Sequence, residues 1–288
     1  MLADILVLAS VYVLIAAGFV IVYRTSHVLN FAHGEVFMVG GYLGFAIAVA
    51  FAVPPVYMLP IAIVVGLGIG LLIYFLLMAP MAGHSVFAAV LLTIALGMVI
   101  RGVALIVFDG QVVYPGRVLN VENTPFELFD GIEITVMELA IIVSAAAIMA
   151  GLMLFFRYSP WGIRMRAASQ DPQLASWRGI NIHLVFASSW AIATSIGIYA
   201  SVLYSFNQQV SPSIADIALR ALAVALVGGM DSMKGIVPAA LAVAAVELLV
   251  LRYVSPQAAE VIPFVFLVLV LLVRPWGLFG TKELIDRI

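Results

Sequence analysis

Residues 30–35 read Asn-Phe-Ala-His-Gly-Glu, and they lie between two apolar runs, residues 5–23 and 36–53. Each run is long enough to cross a bilayer as a helix, so the hexapeptide brings an imidazole and a carboxylate toward membrane depth. A charged side chain at the bilayer centre costs roughly 2.5–3.5 kcal/mol, and non-helical backbone is tolerated there only inside protein or beside a water-filled cavity. We therefore predict that residues 30–35 interrupt a helix next to a transport path.

The composition of the whole chain agrees with a membrane location. Of the 288 residues, 65% are hydrophobic and 10% are charged, and the mean hydropathy is +1.21, whereas a soluble domain is about half apolar and a quarter charged. The net charge of -2 and the lack of a basic stripe exclude a nucleic-acid partner. The chain has no cysteine, and its histidines and carboxylates do not occur at metal-ligand spacing. We therefore expect neither a metal nor another cofactor.

The apolar segments predict an all-α polytopic membrane protein. The seventh segment is short and contains Asp216 and Arg220, so the sequence leaves eight or nine spans open. The candidate spans are residues 5–23, 35–53, 56–79, 85–108, 134–156, 184–206, 214–229, 235–252 and 258–273.

The distribution of Lys and Arg predicts the orientation of these spans, because positive loops stay in the cytoplasm. Residues 157–183 and the tail from Arg274 are rich in Arg and Lys, while the long loop 109–133 is acidic. We expect one transmembrane domain over residues 1–288, with loop 157–183 in the cytoplasm and loop 109–133 outside. The C-terminus would be cytoplasmic and, with nine spans, the N-terminus external.

A second helix break is predicted at residues 228–235, where Gly228-Gly229-Met230-Asp231 precedes Lys234-Gly235. Two breaks, each followed by a long apolar helix, suggest an internal repeat, and transporters built from repeats often place discontinuous helices at the substrate path. The candidate path residues are Asn30, His33, Gly34, Glu35, Gly228, Gly229 and Asp231.

Three other charged residues in the spans have structural interpretations. Asp216 and Arg220 are spaced i,i+4 with the acid first, which is the favourable order for an ion pair along one helix. Arg101 lies about two turns from the end of its span, so we expect its side chain to extend toward the membrane interface.

The 157–183 segment contains a short helix signal. Asp171-Pro172 is suited to the N-cap and first helical position, and Gly179 is suited to the end of the helix. With its basic flanks and with Leu174 and Trp177 exposed, this helix would fit either the groove of a partner protein or an anionic membrane surface.

The sequence gives little support for an enzyme. No P-loop motif occurs, and neither long loop is large enough for a catalytic domain, so energy from ATP would have to come from a partner. The acids Glu35, Asp216 and Glu247 keep a stand-alone ion-coupled carrier open as an alternative, and a passive channel for a small neutral solute is another.

Several motifs resemble those of one known family. They are Asn30-Phe-Ala-His-Gly-Glu-Val-Phe-Met-Val-Gly-Gly-Tyr42, Arg164-x-x-Ala-x-x-x-Asp-x-x-x-Ala-x-x-x-Gly-Ile180, Val227-Gly-Gly-Met-Asp-Ser-Met-Lys-Gly235 and Arg274-Pro-Trp-Gly-Leu-Phe-Gly280. In order and spacing the chain resembles the branched-chain amino acid permease family of ATP-binding cassette importers, in its shorter-subunit branch.

This resemblance implies a set of partners and a location. The partners are a second related permease subunit, two cytoplasmic ATPase subunits and a periplasmic solute-binding protein, all at a bacterial-type inner membrane. The resemblance also implies that residues 164–180 form the loop that couples to an ATPase. The residues expected to form this coupling contact are Arg164, Arg166, Asp171, Leu174, Ala175, Trp177 and Gly179.

The resemblance leaves the solute open. Similar permeases carry branched-chain or other hydrophobic amino acids, and others serve urea, short amides or aromatic carboxylates. Selectivity in such importers is usually set by the binding protein, so the pore residues do not identify the solute.

Overall fold

The computed structural model describes residues 1–51, 53–121, 123–129 and 132–281. Within them, eight helices are long and apolar enough to cross a membrane, which confirms an all-α polytopic membrane protein. The elements in chain order are α1 Leu2–Ser26, α2 His33–Phe51, α3 Pro55–Ile73, α4 Val86–Phe108, α5 Pro115–Val118, β1 Pro125–Phe129, β2 Ile132–Thr135, α6 Val136–Tyr158, α7 Pro160–Gln170, α8 Pro172–Trp177, α9 Ile182–Ser205, α10 Ala215–Gly228, α11 Met233–Tyr253 and α12 Pro256–Val273.

Polar caps set several helix starts. The Ser85 hydroxyl accepts a hydrogen bond from the Ala88 N–H at the start of α4, and Thr135 and Glu138 form a reciprocal capping box at the start of α6. Such caps satisfy N–H groups that the first helical turn leaves unpaired. Glu138 in the first turn of α6 is thus explained by local structure.

Helices α1 and α9 form the centre of the bundle. The span regions of α1 and α9 are 72% and 78% buried, compared with 17% for α4 and 11% for α12. Glycines let α3 approach α9 closely, because a Cβ added at Gly66 would lie 2.4 Å from the Ser195 Cα atom and one added at Gly70 would lie 2.6 Å from the Ala191 Cα atom. Small residues therefore bring these two helices together.

One end of the bundle, which we call the basic face, carries the end of α1, the 157–183 segment and the C-terminal residues. The His27 Nε2 atom lies 3.1 Å from the Ser169 carbonyl oxygen. Arg24 is repelled by the charge of Arg166 and attracted by that of Asp231. The Asp231 carboxylate also accepts hydrogen bonds from Thr281.

The opposite end, which we call the hairpin face, carries α5, the antiparallel β1–β2 hairpin and the connection between α9 and α10. Val113 and Val210 form a two-bond bridge with N···O distances of 2.9 Å, and the Asn123 Nδ2 atom donates to the Asn207 Oδ1 atom over 2.7 Å. The described residues of loop 109–133 contain no long helix, and the hairpin was not predicted. Glu122, Asp130 and the tail residues Lys282 and Arg287 lie outside the described residues.

The seventh apolar segment forms a short helix. Helix α10 has 14 residues and is about 21 Å long at 1.5 Å per residue, which is shorter than a hydrocarbon core of about 30 Å. Helix α10 is therefore not among the eight helices of the described chain that are long enough to cross a membrane.

The predicted breaks are present with shifted bounds. Residues 27–32 and 229–232 separate the helices, while His33, Gly34 and Glu35 already belong to the first turn of α2. The 157–183 segment holds two helices, α7 and α8, where the sequence predicted one.

Candidate functional site

The first break, residues 27–32, is enclosed by α4. The Thr93 Oγ1 atom accepts a hydrogen bond from the Phe31 N–H over 3.1 Å and lies 3.2 Å from the Leu29 carbonyl oxygen. Thr93 is completely buried. The non-helical backbone is thus partnered by protein, which is the condition for such backbone at membrane depth.

Asn30 connects the first break to the start of α2 through hydrogen bonds. The Asn30 Oδ1 atom accepts from the Ala32 N–H over 3.1 Å, and the Asn30 carbonyl oxygen accepts from the His33 N–H over 3.2 Å. The side chain is buried, so Asn30 replaces contacts that a continuous helix would have supplied.

His33 fills a slot between α1 and α9. A Cβ added at Gly18 would lie 2.3 Å from the His33 Nε2 atom, and one added at Gly197 would lie 3.0 Å from its Cε1 atom. The Phe19 ring packs edge-on with a centroid distance of 4.8 Å, and His33 has no exposed surface. The imidazole is therefore packed inside the helix bundle, between α1 and α9.

Gly34 lets the start of α10 approach α2, because a Cβ added there would lie 2.9 Å from the Ala215 carbonyl oxygen. This contact brings Asp216, in the first turn of α10, next to Glu35. Gly34 and His33 thus both lie at contacts between helices.

Glu35, Arg101 and Asp216 form a group that we call the Glu35 cluster. An Arg101 Nη2 atom lies 3.1 Å from the Glu35 Oε1 atom and 3.7 Å from the Asp216 Oδ1 atom. The expectation that Arg101 extends to the membrane interface is wrong, because Glu35 and Asp216 hold it between α2 and α10. The Arg101 and Asp216 side chains are 41% and 57% exposed.

The predicted Asp216–Arg220 pair is also wrong. The Arg220 Nη1 atom donates to the Glu247 Oε1 atom over 2.8 Å, and the Tyr12 hydroxyl donates to the Glu247 Oε2 atom over 2.7 Å. The Glu247 side chain is only 6% exposed, and a buried carboxylate is costly without a cation. An exposed i,i+4 pair is worth far less, so Arg220 turns toward α11.

The second break is closed by the C-terminal residues. The Leu278 and Phe279 N–H groups donate to the Val227 and Gly228 carbonyl oxygens over 2.8 and 3.1 Å, and Gly229 has a φ of 101°, which favours glycine. Gly228, Gly229 and Asp231 therefore lie at the basic face, and none of the contacts described for them reaches residues 30–35.

The 157–183 segment presents α8 to the surface. The Asp171 Oδ1 atom caps the helix by accepting from the Leu174 N–H over 2.9 Å. Leu174 and Trp177 are 50% and 82% exposed, while Ala175 is buried. The predicted cap is confirmed.

Two further residues of this segment have local roles. Gly179 follows α8 with a φ of 80°, as expected for a residue that ends a helix. On α7, the Arg164 guanidinium stacks over the Trp161 ring at 5.2 Å, and Arg166 is half-buried beside it.

Within the described residues, no group of three or more histidine, aspartate or glutamate side chains could hold a metal ion. The features that the described residues do offer are helix breaks, ion pairs and exposed apolar groups. The sequence did not identify Gly18, Thr93 or Gly197, whose roles depend on contacts between helices that are distant in the chain.

These features define a multi-pass helical membrane protein with charged groups inside its spans, as expected for a solute permease. A family model described as "Branched-chain amino acid transport system / permease component" matches residues 1–271. The chain belongs to this family, which confirms that it is a transport permease and not an enzyme.

Named relatives match over nearly the whole chain. The high-affinity branched-chain amino acid transport system permease protein LivH of Escherichia coli (strain K12) is 32% identical over 96% of this chain and 93% of that protein. BraD of Pseudomonas aeruginosa, with the same description, is 28% identical over 96% and 94%. The probable branched-chain amino acid transport permease protein LivH of Methanocaldococcus jannaschii is 26% identical over 96% and 90%. No solved structure matches the chain.

Proposed function

We propose that this permease is one of two membrane subunits of an ATP-driven importer that moves a small solute into the cytoplasm. The proposed solutes are branched-chain amino acids, which are the solutes named for the relatives, or other hydrophobic amino acids. The observation that carries the proposal is the Glu35 cluster, which exposes charge on a face of the spanning bundle.

Contact with lipid is energetically unfavourable for the charged side chains on this face. Ionisable residues within membrane spans almost always face a bundle interior, a water-filled cavity or one another. Asp216 and Arg101 are too exposed to satisfy this rule within the isolated subunit. A second permease subunit opposite this face, with the solute path between them, satisfies it.

The helix breaks have distinct roles in this proposal. Asn30, His33 and Gly34 set the start of α2 and so direct Glu35 to the path. Gly228, Gly229 and Asp231 fix the end of α10 at the basic face, where the C-terminal segment holds them. Movement of α10 relative to α2 would then change the width of the path.

The basic face is proposed to be cytoplasmic, in agreement with the excess of arginine there, and the membrane to be a bacterial-type inner membrane. On this face, α8 would seat on one of two ATPase subunits through Leu174 and Trp177, with Arg164 and Arg166 close by. The opposite hairpin face would then receive solute from a periplasmic binding protein.

Reconstitution of the assembled importer tests this function. We expect the ATPase subunits to co-purify with this chain, and leucine-loaded binding protein to stimulate ATP hydrolysis and uptake. Stimulation only by urea, an amide or an aromatic carboxylate would reassign the solute. Uptake by this chain alone, driven by an ion or solute gradient without ATP, would instead support a carrier or channel.

A further inference from the structure

A cavity of about 390 Å³ opens at the hairpin face. Its walls come from α5, the end of α9, the 206–214 connection and the start of α10, and its size is typical of a small-molecule site. Its lining includes Tyr114, Arg117, Ser213, Ile217 and Arg220. Neither helix break contributes to this lining.

The walls of the cavity are held in place by contacts between distant segments. The Val113–Val210 bridge joins the loop before α5 to the connection before α10. The Tyr114 hydroxyl donates to the Gln209 Oε1 atom over 2.9 Å. A site built on such cross-links is preformed, which reduces the entropy cost of binding.

The lining is positively charged. It includes Arg117 and Arg220 and, over the described part of the chain, no aspartate or glutamate. The Arg117 guanidinium stacks over the Tyr114 ring at 4.5 Å, and no described carboxylate lies within 4.0 Å of it. None of the described carboxylates therefore uses its N–H donors.

Glu247 holds the Arg220 side chain through an ion pair. Its hydrogen bond to Glu247 uses one N–H, whereas a guanidinium carries five, so donors remain for the cavity side. Tyr12 in turn orients Glu247. A guanidinium held in one orientation and lining a cavity is suited to two-pronged binding of a carboxylate.

The other lining groups fit the remainder of an amino acid. Hydroxyl and amide oxygens of Ser211, Ser213 and Asn207 are acceptors for an ammonium group, and Phe206, Ile214 and Ile217 supply apolar surface. We propose that this cavity binds a free α-amino acid, with Arg117 and Arg220 holding its carboxylate as it enters from the hairpin face. This inference rests on the proposed function and adds a solute site inside the permease.

Direct binding of radiolabelled L-leucine to the purified permease and ATPase assembly, without the binding protein, tests the site. Saturable binding is expected in the wild type, and Arg117→Ala is expected to weaken it about ten-fold, because a charge-assisted hydrogen bond is lost. Arg252→Ala is the matched control. Arg252 is an exposed arginine stacked on a tyrosine ring at 5.9 Å, in the last turn of α11, and it does not line the cavity.

Analogues test the chemistry. 4-Methyl-2-oxopentanoate, which keeps the carboxylate, is expected to compete with leucine, whereas leucinamide, which lacks it, is not. Arg220→Lys keeps the positive charge beside Glu247 but loses the planar fork, so leucine binding is expected to weaken about ten-fold while assembly with the ATPase subunits is retained.

The outcomes separate this site from the proposed function. ATP-dependent leucine uptake by the reconstituted importer without saturable leucine binding to the permease would overturn the site alone. Equal leucine affinity in Arg117→Ala and wild type, or equal competition by leucinamide and leucine, would also overturn it. Absence of both uptake and binding in the wild type would overturn the proposed function.

Discussion

The His33 side chain fits into the bundle because two neighbouring residues are glycines. Gly18 on α1 and Gly197 on α9 leave the space that the imidazole fills. The sequence places a histidine near membrane depth, but it does not show that two glycines on other helices receive it. The residue therefore couples the first helix break to the two most buried helices of the bundle.

Gly18→Ala tests this packing. A new Cβ would lie 2.3 Å from the His33 Nε2 atom, so we expect a loss of stability of about 1–3 kcal/mol from overpacking, read as a lower unfolding temperature in detergent. Gly102→Ala, where nothing lies within 4 Å of the added Cβ, is the control and is expected to be neutral. The double variant Gly18→Ala with His33→Ala should recover part of the loss; if it recovers none, the slot is not the cause.

The revised ion pairing of Arg220 makes a second prediction. Arg220→Ala leaves Glu247 buried without its cation, and breaking such a buried pair costs about 3–5 kcal/mol. Asp216→Asn removes an exposed charge whose ion pair is worth about 0–1 kcal/mol. Unfolding measurements that gave similar losses for both variants would favour the i,i+4 pair over the Arg220–Glu247 pair.

Among the elements, helix α8 was predictable because its signals are local. Asp171, Pro172 and Gly179 lie within one short stretch, and each has the expected position in the helix. The start of α2 was less predictable, because Thr93 on α4 completes the break from 62 residues away. Local capping chemistry can be read from sequence, whereas a partner on another helix depends on the packed structure.

The exposed surface of α8 makes the third prediction. Trp177→Ala with Leu174→Ala should reduce co-purification of the ATPase subunits several-fold, because exposed aromatic and aliphatic anchors often dominate binding at an interface. The stability of the permease itself should change little, since both side chains are at least half exposed.

Tyr253→Ala provides the matched control for that experiment. Tyr253 is 72% exposed but lies at the opposite end of the molecule, in the last turn of α11. Normal co-purification of the Trp177 and Leu174 double variant would contradict docking through α8. Arg166→Glu with Asp171→Ala tests the same surface through its charge and its helix cap.

For the whole molecule, the charged groups divide between interior and exposed positions. Glu247 and Tyr12 are buried and hold Arg220, which is 23% exposed, whereas Arg101 and Asp216 are 41% and 57% exposed on α4 and α10. The sequence predicted which residues are ionisable and in which span they lie. It could not separate the two groups, because that depends on how α10 packs between α2 and α11.

This division predicts which helix surfaces meet water in the assembled importer. The chain has no native cysteine, so single cysteines can be introduced without background labelling of this chain. Leu219→Cys, one turn from Asp216 and 44% exposed, is expected to react with a water-soluble maleimide, faster during ATP-driven turnover. Leu269→Cys on α12, 58% exposed, is expected to react slowly, because it faces lipid and a thiol there cannot readily ionise. Equal rates at both positions, with and without turnover, would contradict a solute path along the Glu35 cluster.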